Sequence, residues 1–322
     1  MKDLAVSVVV PSHARRLRLR WLLNALEEQT LPADAFEVIV VHDYQGADAE
    51  LLDGHPLAQS GRMRQIRVEP GRGRPSVQRN LGWRAASAPL VAFIDDDCRP
   101  TPDWLERLVE IAGANPGAIV QGATRPDPYE VALRASPHIR TLRIEPPHDY
   151  AQTCNIAYPA VMLERMDGFD EDFPAPAGED TDLAQRALAA GAELVGAPDA
   201  LVYHAIEAYT LPSAIKLNWK WRHLAYVVKR HPRLRKHFWQ HIFWRRRHRN
   251  VLLLVAGVVI APWFWPALVL ALPWAYRRVT RRGRHKRGLV IGIVELPGGL
   301  VVDVAEVATM LWGSIRYRTI VL

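Results

Sequence analysis

The chain contains little cysteine. Only Cys98 and Cys154 occur among its 322 residues, which is too few for a disulfide framework or for a zinc site built from thiolates. The composition therefore excludes a small disulfide-stabilised protein and suits a reducing compartment. Because the sequence indicates no partner histidine for Cys154, we expect that residue to be a small buried filler and not a nucleophile.

A secretory signal pattern is also missing from the first residues. The start "MKDLAVSVVVPSH" has only a short apolar run and lacks the succession of basic, apolar and cleavage regions that defines a signal peptide. We interpret this run as the first β-strand.

Acidic residues are absent from residues 216–287, although that segment holds 19 Lys and Arg. Residues 1–215, in contrast, hold 31 acidic and 20 basic residues. The net charge of +7 thus averages over an acidic front and a basic rear. Such asymmetry is typical of a chain whose rear meets nucleic acid or an anionic membrane surface.

The front of the chain alternates short β-branched runs with helical periods. The strand-like runs are "VSVVV", "FEVIVVHD", "QIRVE" and "PLVAFIDDD", and the helical periods include "LRWLLNALEEQ" and "SVQRNLGWRAA". Apolar strands separated by amphipathic helices predict an α/β fold with a mostly parallel sheet that is covered on both faces.

Three consecutive aspartates, Asp95, Asp96 and Asp97, follow an apolar strand in "LVAFIDDDCRP". Adjacent carboxylates raise one another's pKa, so a cation or several hydrogen-bond donors should face them. Open α/β sheets bind ligands at the carboxyl ends of their strands. An acidic helix-capping turn is the alternative, but capping requires one aspartate and not three.

Six segments in order resemble the inverting family 2 glycosyltransferases of GT-A fold. They are "VSVVVPSH", "FEVIVVHD", "VQRNLGWRAA", "VAFIDDDCRPTPDWL", "TCNIAYPAVMLERMDGFDEDF" and "GEDTDLAQRALAAGA". The resemblance covers roughly residues 4–205. It implies a Rossmann-like nucleotide-diphospho-sugar transferase domain over residues 1–209, a sugar-nucleotide donor, a divalent metal held by aspartates, and one carboxylate base.

The resemblance implies that Asp95 and Asp97 hold Mg²⁺ or Mn²⁺, with Asp97 the more direct ligand. A hard cation with oxygen ligands would neutralise the charge that grows on a departing nucleoside diphosphate. Asp95 and Asp96 are also expected beside the nucleotide, where Asp96 contacts the ribose or points to the other strand face. His204 resembles a third metal ligand, although a histidine that ends an apolar strand can equally be a satisfied core residue.

Asp180 in "GEDTD" corresponds to the catalytic base of the family. Inversion requires a carboxylate that takes the proton of the acceptor hydroxyl. Because Asp180 lies near a predicted helix start, we expect it to stay ionised at neutral pH, and a helix cap is the alternative reading. The neighbouring Glu179 is expected to orient the acceptor or to solvate the loop.

Four further residues are expected to contact the donor or the acceptor. By resemblance, Asp43 contacts the base, and Pro11 lines the pocket through its backbone. Arg79 can reach uracil or a phosphate unless it lies on a solvated helix face, and Asn155 is expected to contact donor or acceptor. The family's usual Asp-Asp-Gly-Ser run is "HDYQG" here, with His42 in place of the first aspartate. A UDP-sugar is favoured over GDP- and dTDP-sugars, but this change leaves the base open.

The rear begins with aromatic, basic amphipathic helices over residues 210–250, as in nucleic-acid binders or interfacial membrane helices. Residues 251–276, "VLLLVAGVVIAPWFWPALVLALPWAY", then run for 26 residues without a charge, whereas about 20 suffice to span a bilayer. This run favours an anionic membrane over nucleic acid. Its prolines and the arginines on both flanks favour a re-entrant hairpin bent near "PWFWP" over a straight span.

Residues 251–322 are therefore predicted to form a hydrophobic, membrane-associated helical region. Its last part should be an amphipathic helix that packs against either the membrane surface or the enzyme domain. The apolar face of this helix would consist of Val301, Val304, Ala308, Leu311, Trp312 and Ile315.

These observations predict an inverting glycosyltransferase on the cytoplasmic face of the cell membrane. It would move a sugar from a nucleotide to a lipid-linked or cell-envelope glycan acceptor, with no nucleic-acid partner. One alternative is a non-catalytic membrane scaffold on a degenerate GT-A fold. Another is a haloacid-dehalogenase-type phosphatase, because "FIDDD" can imitate the nucleophile motif of that class. Metal-dependent consumption of sugar nucleotides would distinguish the three.

Overall fold

The structure, a computed structural model, describes residues 4–46, 52–69, 73–174 and 177–322. It divides into two compact units. The first comprises Met1–Ala135 and Ile139–Glu207, and the second comprises Ser136–His138 and Ala208–Leu322. The division after Glu207 lies close to the sequence-based boundary after residue 209.

Within the described residues, the first unit contains an eight-stranded sheet. Its strands are β1 Val6–Ser12, β2 Phe36–His42, β3 Met63–Arg67, β4 Leu90–Phe93, β5 Cys98–Pro100, β6 Ile119–Pro126, β8 Ile156–Pro159 and β9 Leu194–His204. Two further two-residue strands are β7 Ile139–Arg140 and β10 Glu207–Ala208. The order across the large sheet is β3-β2-β1-β4-β8-β6-β9-β5.

The sheet is mixed in direction. Strands β3, β2, β1 and β4 are parallel to one another, as the alternating pattern predicts. Strand β8 runs antiparallel to both β4 and β6, while β6 and β9 are parallel and β5 is antiparallel to β9. The parallel half brings the carboxyl ends of β1, β2 and β4 to one edge, where ligands bind in open α/β sheets.

Helices cover both faces of this sheet. They are α1 Arg16–Glu27, α2 Pro56–Gln59, α3 Pro75–Arg84, α4 Trp104–Ala114, α5 Ala160–Arg165 and α6 Glu179–Ala189, with a 3₁₀ helix at Pro128–Ala135. Side chains alternate between faces along a strand. Val8 and Val10 of β1 accordingly pack in the core cluster that contains Trp104, whereas Val9 packs in the other cluster with Phe93. The predicted two-sided burial is therefore confirmed.

The second unit is helical. It contains α7 Leu211–Asn218, α8 Leu224–Arg230, α9 Arg246–Ile260, α10 Leu272–Val279, α11 Lys286–Val294 and α12 Leu296–Tyr317. Four 3₁₀ helices lie between them, at Trp219–His223, Pro232–His237, Trp265–Ala271 and Thr280–Arg282.

The long uncharged run is not one helix. Helix α9 ends at Ile260, whose carbonyl accepts hydrogen bonds from the backbone N–H groups of Trp263 and Phe264 at 3.0 Å each. The chain then folds back so closely that a Cβ on Gly257 would lie 2.6 Å from the carbonyl oxygen of Ala267. The bend falls within "PWFWP", as predicted, so the alternative of a straight helical span is wrong for this segment.

Helix α12 buries two carboxylates beside Val307 and Met310, whereas several of its other large apolar residues are exposed. Asp303 and Glu306 are each 1% exposed. The Asp303 carboxylate accepts hydrogen bonds from Trp274 Nε1 at 2.9 Å and Arg278 Nε at 2.8 Å, and Glu306 pairs with Arg247. Among the helices that the structure describes, α12 is the one long and apolar enough to cross a membrane, by length and composition only.

The face of α12 that was predicted to be apolar is mostly the exposed one. Its exposed large residues are Val301, Val304, Leu311, Trp312 and Ile315. Packing of this face against the membrane surface or against the enzyme domain stays a prediction.

Candidate active site

The acidic motifs meet at the carboxyl edge of the parallel strands. Asp95, Asp96 and Asp97 lie between β4 and β5, directly after the buried residue Ile94. Cys98 of β5 pairs with His204 of β9 in antiparallel register. This pairing places the last residue of β9 beside the aspartate turn, although the two lie far apart in the sequence.

Asp97 and His204 form the core of a possible metal site. Asp97 Oδ1 lies 3.8 Å from His204 Nε2, which is too long for a hydrogen bond. His204 Nδ1 lies 2.8 Å from the carbonyl oxygen of Ala205. Since a carbonyl only accepts, Nδ1 donates, and Nε2 of the neutral ring keeps its lone pair for a ligand. A carboxylate and an imidazole suit Mn²⁺, so the donor set fits a divalent cation.

The third member of this group is Cys98 and not Asp95. Ligand atoms of Asp97, Cys98 and His204 lie within 4.8 Å of one another. Burial, with Cys154 and Asp97 nearby, raises the pKa of the Cys98 thiol, so the sulfur stays protonated. Hard cations prefer oxygen to a neutral thiol. The sequence did not indicate that Cys98 lies beside His204, because this proximity follows from the β5–β9 pairing.

Asp95 binds an arginine in this structure. Its Oδ1 accepts a hydrogen bond from Arg79 at 2.9 Å, and the same guanidinium donates to Glu179 Oε1 at 2.8 Å. Burial lowers the pKa of Arg79, but the charges of Asp95 and Glu179 outweigh this effect and raise it. Arg79 therefore does not lie on a solvated helix face. Its contact with a nucleotide and the metal contact of Asp95 stay predictions.

Glu179 is buried, which rules out the expected alternative that it solvates the loop. One of its carboxylate oxygens binds Arg79, and the other, Oε2, is buried without a hydrogen-bond partner in the described residues. A buried acceptor without a donor costs free energy. The orphan oxygen therefore leaves Glu179 able to accept a hydrogen bond from a bound molecule, which is consistent with the predicted contact to an acceptor.

Asp180 lies half-buried in the first turn of α6. Its Oδ1 accepts a hydrogen bond from the backbone N–H of Thr181 at 2.8 Å, and the N-cap residue is Gly178. Burial and the charge of Glu179 raise the pKa of Asp180 to about 7, although Arg79 opposes the shift. Burial and the like charge of Glu179 therefore oppose the helix dipole, which was expected to keep Asp180 ionised at neutral pH.

Asp96 is buried among hydrogen-bond donors. Its Oδ2 accepts from Ser12 Oγ at 2.7 Å and from the His13 backbone N–H at 3.2 Å, and its Oδ1 accepts from Arg15 at 3.2 Å. Burial raises the pKa of Asp96 to about 6, although the charge of Arg15 lowers it. These donors face the triple aspartate, as the repulsion between adjacent carboxylates requires.

Arg15 was not identified from the sequence. Its guanidinium also binds Asp97 Oδ2 at 2.8 Å and Glu207 Oε1 at 2.9 Å. Burial lowers the pKa of Arg15, but the charges of Asp97, Asp96 and Glu207 raise it by more. The available signal was position, because Arg15 immediately precedes α1 at the ligand-binding edge of the sheet.

The residues expected near the base adjoin the same edge. Asp43 follows β2 and lies 2.6 Å from His13 Nδ1. His42 is buried, with Nε2 3.1 Å from Gln65 Oε1 and its ring stacked on Tyr44. The residue that replaces the family's first aspartate thus has a structural role.

Pro11 is a buried residue near the end of β1. The next backbone carbonyl, that of Ser12, already accepts a hydrogen bond from Gln78 Nε2 at 3.0 Å. The predicted contact between the Pro11 backbone and the nucleotide stays a prediction.

Asn155 does not join the cluster. It is fully buried, and its Oδ1 accepts from Trp104 Nε1 at 2.8 Å. Its Nδ2 donates to the carbonyl oxygens of Ala123 at 2.7 Å and Ala200 at 2.8 Å. Because both amide protons and the amide oxygen are engaged in the core, the geometry does not support the predicted contact with donor or acceptor.

Comparisons with known proteins agree on the type of fold. The profile described as Glycosyl transferase family 2 matches residues 7–171. Validoxylamine A glucosyltransferase of Streptomyces hygroscopicus subsp. jinggangensis (strain 5008) is 29% identical over 219 residues, covering 58% of this chain and 52% of that protein. The chain thus spans about half the length of this relative.

Two solved structures share the fold. Mannosyltransferase PcManGT from Pyrobaculum calidifontis, in complex with GDP-Man and Mn²⁺, is 18% identical with a TM-score of 0.59, and the match covers 98% of this chain and 87% of that one. S. aureus TarS 1–349, in complex with UDP-GlcNAc, is 17% identical with a TM-score of 0.53, covering 98% and 92%.

Proposed function

The chain belongs to glycosyltransferase family 2, and we propose that it transfers a sugar from a nucleotide-sugar donor to an acceptor hydroxyl at a membrane. The observation that carries the proposal is the meeting of the two acidic motifs at one sheet edge. Arg79 binds Asp95 of the first motif and Glu179 of the second. The residues proposed for donor binding and for proton transfer therefore lie within one connected site.

The donor side would use Asp97 and His204 to hold a divalent cation. When bound, the cation would offset the negative charge that develops on the departing diphosphate. The structures that share the fold hold GDP-Man with Mn²⁺ and UDP-GlcNAc, which supports a nucleoside-diphosphate sugar as donor. We propose a UDP-sugar, with Asp43 and Asp96 on the nucleoside side.

The acceptor side would use Asp180 as the base. Its Oδ1 is held by the Thr181 backbone N–H, which leaves Oδ2 to take the proton of the acceptor hydroxyl. The hydroxyl oxygen forms a bond to the anomeric carbon from the face opposite the leaving group. The bond to the diphosphate oxygen breaks, the electron pair stays on that oxygen, and the configuration inverts. Arg79 and Glu179 would hold the base in a fixed position relative to the donor-binding residues.

We propose that the second unit lies on the cytoplasmic face of the cell membrane. Its support is an exposed apolar surface: Trp263 and Trp265 are 82% and 77% exposed at the bend after α9. Residues 216–287 contain no acidic side chain to repel an anionic leaflet. The acceptor would then be lipid-linked or a cell-envelope glycan. The bend favours insertion at the interface over a span.

The rival functions have less support. Membership of family 2 argues against a dehalogenase-type phosphatase. A non-catalytic scaffold would not need Asp97 and His204 to face one another or a buried carboxylate oxygen on Glu179 to remain unpaired.

The test uses the purified full chain with UDP-, GDP- and dTDP-sugars, each with Mn²⁺, Mg²⁺ or a chelator. We expect one donor to raise the melting temperature only with metal, since a ligand bound by the native state stabilises it. The same donor should be consumed slowly, with release of nucleoside diphosphate. The proposal fails if no sugar nucleotide stabilises the protein or is consumed with either metal.

A further inference from the structure

Arg15 lies across the carboxylates of the proposed cation site. Its guanidinium donates to Asp96 Oδ1 at 3.2 Å, to Asp97 Oδ2 at 2.8 Å and to Glu207 Oε1 at 2.9 Å. The other oxygen of Asp97 faces His204 Nε2. A single carboxylate is therefore shared between a fixed positive charge and the position proposed for the cation.

The Arg15 side chain is able to move without unfolding the loop. It is 40% exposed, whereas its backbone N–H is held by the hydroxyl of Tyr44 at 3.1 Å. Rotation of the side chain alone would release Asp97. A guanidinium matches the oxygens of a phosphate as well as those of a carboxylate, since it presents paired N–H donors.

Resting on the proposed function, we propose that Arg15 is a ligand of the donor diphosphate that neutralises Asp96 and Asp97 until the donor arrives. The diphosphate attracts Arg15 away from Asp97, and Asp97 then gives its full charge to the cation. Without a nucleotide, the cation must compete with Arg15. Cation and nucleoside diphosphate should therefore bind with positive coupling, each raising the affinity of the other by the same factor.

A purely structural role, in which Arg15 only holds the loop in place, is the competing explanation for the same contacts. In that case, removing Arg15 would lower stability and leave the coupling between the two ligands unchanged. If Arg15 instead moves from the aspartates to the diphosphate, its removal should strengthen Mn²⁺ binding and weaken nucleotide binding. Loss of stability alone does not produce these opposite effects.

The experiment measures binding of Mn²⁺ alone, of UDP and GDP with chelator, and of each nucleotide with Mn²⁺. The variants are Arg15→Ala and the matched control Arg20→Ala, which removes an exposed arginine from the helix α1 that follows Arg15. For Arg15→Ala we expect tighter Mn²⁺ binding without nucleotide, weaker nucleotide binding without metal, and a coupling factor that falls about tenfold. The control should match the wild type.

Glu207→Gln provides a second variant if Arg15→Ala does not fold. It removes one carboxylate that holds Arg15 away from the diphosphate, so it should strengthen nucleotide binding by several-fold. Unchanged or weaker Mn²⁺ binding in Arg15→Ala, or unchanged nucleotide affinity in Glu207→Gln, would overturn the inference. If the wild type binds no nucleoside diphosphate with any metal, the proposed function itself fails. Binding by the wild type with unaltered coupling in Arg15→Ala defeats only the role of Arg15.

Discussion

Asp180 lies half-buried beside Glu179, and this position sets the pH range over which it can accept a proton. Burial and the neighbouring carboxylate raise its pKa to about 7. A base must be deprotonated to act, so kcat/KM should fall as pH drops below about 7 and level off above it. The pH profile of the initial rate, at saturating metal, measures this.

The variant Asp180→Asn tests whether Asp180 is the base that causes this pH dependence. It should lower turnover by about a hundredfold, the scale of a lost general base, while donor affinity stays within a few-fold. A variant that retains the acidic fall in rate, or that loses donor binding and keeps turnover, would assign Asp180 another role.

At the residue scale, the sequence located what local motifs encode. Asp97 and His204 were predicted to be metal ligands, and their side chains face one another. Arg15 and Cys98 were missed, because their contacts depend on strands and loops brought together from distant parts of the chain. The role of Asn155 could not be derived, since an asparagine amide suits a ligand and a trio of core partners equally well.

At the scale of elements, α3 packs directly on β1. A Cβ on Gly82 would lie 2.3 Å from Val9 Cγ1, so the helix or the strand would have to shift. We expect Gly82→Ala to destabilise the protein by about 1–3 kcal/mol, the usual cost of overpacking. Denaturant unfolding of the full chain measures this change as a lower free energy of unfolding of the first unit.

Gly113→Ala on α4 is the control, because a Cβ there meets nothing within 4 Å. It should be neutral or stabilising by up to about 1 kcal/mol, from helix propensity alone. Equal effects of the two substitutions would show that α3 does not need its close approach to β1.

The bend after α9 presents Trp263 and Trp265 to solvent. If this element meets the bilayer, Trp263→Ser with Trp265→Ser should lower the binding of the full chain to vesicles containing anionic lipid by about tenfold or more, because buried apolar area is lost. Vesicle co-sedimentation measures this effect. The control is Trp21→Ser with Tyr129→Ser, which removes exposed aromatic residues of the first unit. Equal binding by both double variants would contradict insertion through the bend.

Helical periodicity predicted the apolar stripe of α12 but not whether this stripe faces the interior or the solvent. Hydrophobic residues normally face a core, yet here Asp303 and Glu306 occupy the interior with Arg278 and Arg247 as partners. The arginines come from other helices, so no local pattern within α12 encodes the inversion. The bend at "PWFWP" was predictable because proline acts locally.

At the scale of the whole molecule, charge and apolar exposure are divided between the two units. Residues 1–215 are net acidic, whereas residues 216–287 contain 19 Lys and Arg and no acidic residue. Electrostatic attraction to an anionic leaflet is screened by salt, whereas apolar insertion is not. Washing cell membranes with about 1 M salt, at which the Debye length is near 3 Å, should therefore leave the full chain in the membrane fraction, and detergent should release it. Complete release by salt would reduce the association to a peripheral one.

The central claim is that the acidic sheet edge binds a divalent cation together with a nucleoside diphosphate. The most direct measurement is a titration of free Mn²⁺ by electron paramagnetic resonance, with and without UDP or GDP, on the wild type and on Asp97→Asn. The account predicts that the wild type binds Mn²⁺ with one of the nucleotides and that Asp97→Asn, although folded, loses affinity by about tenfold or more, since one ligand charge is removed. Undiminished nucleotide-dependent Mn²⁺ binding by Asp97→Asn would contradict the account.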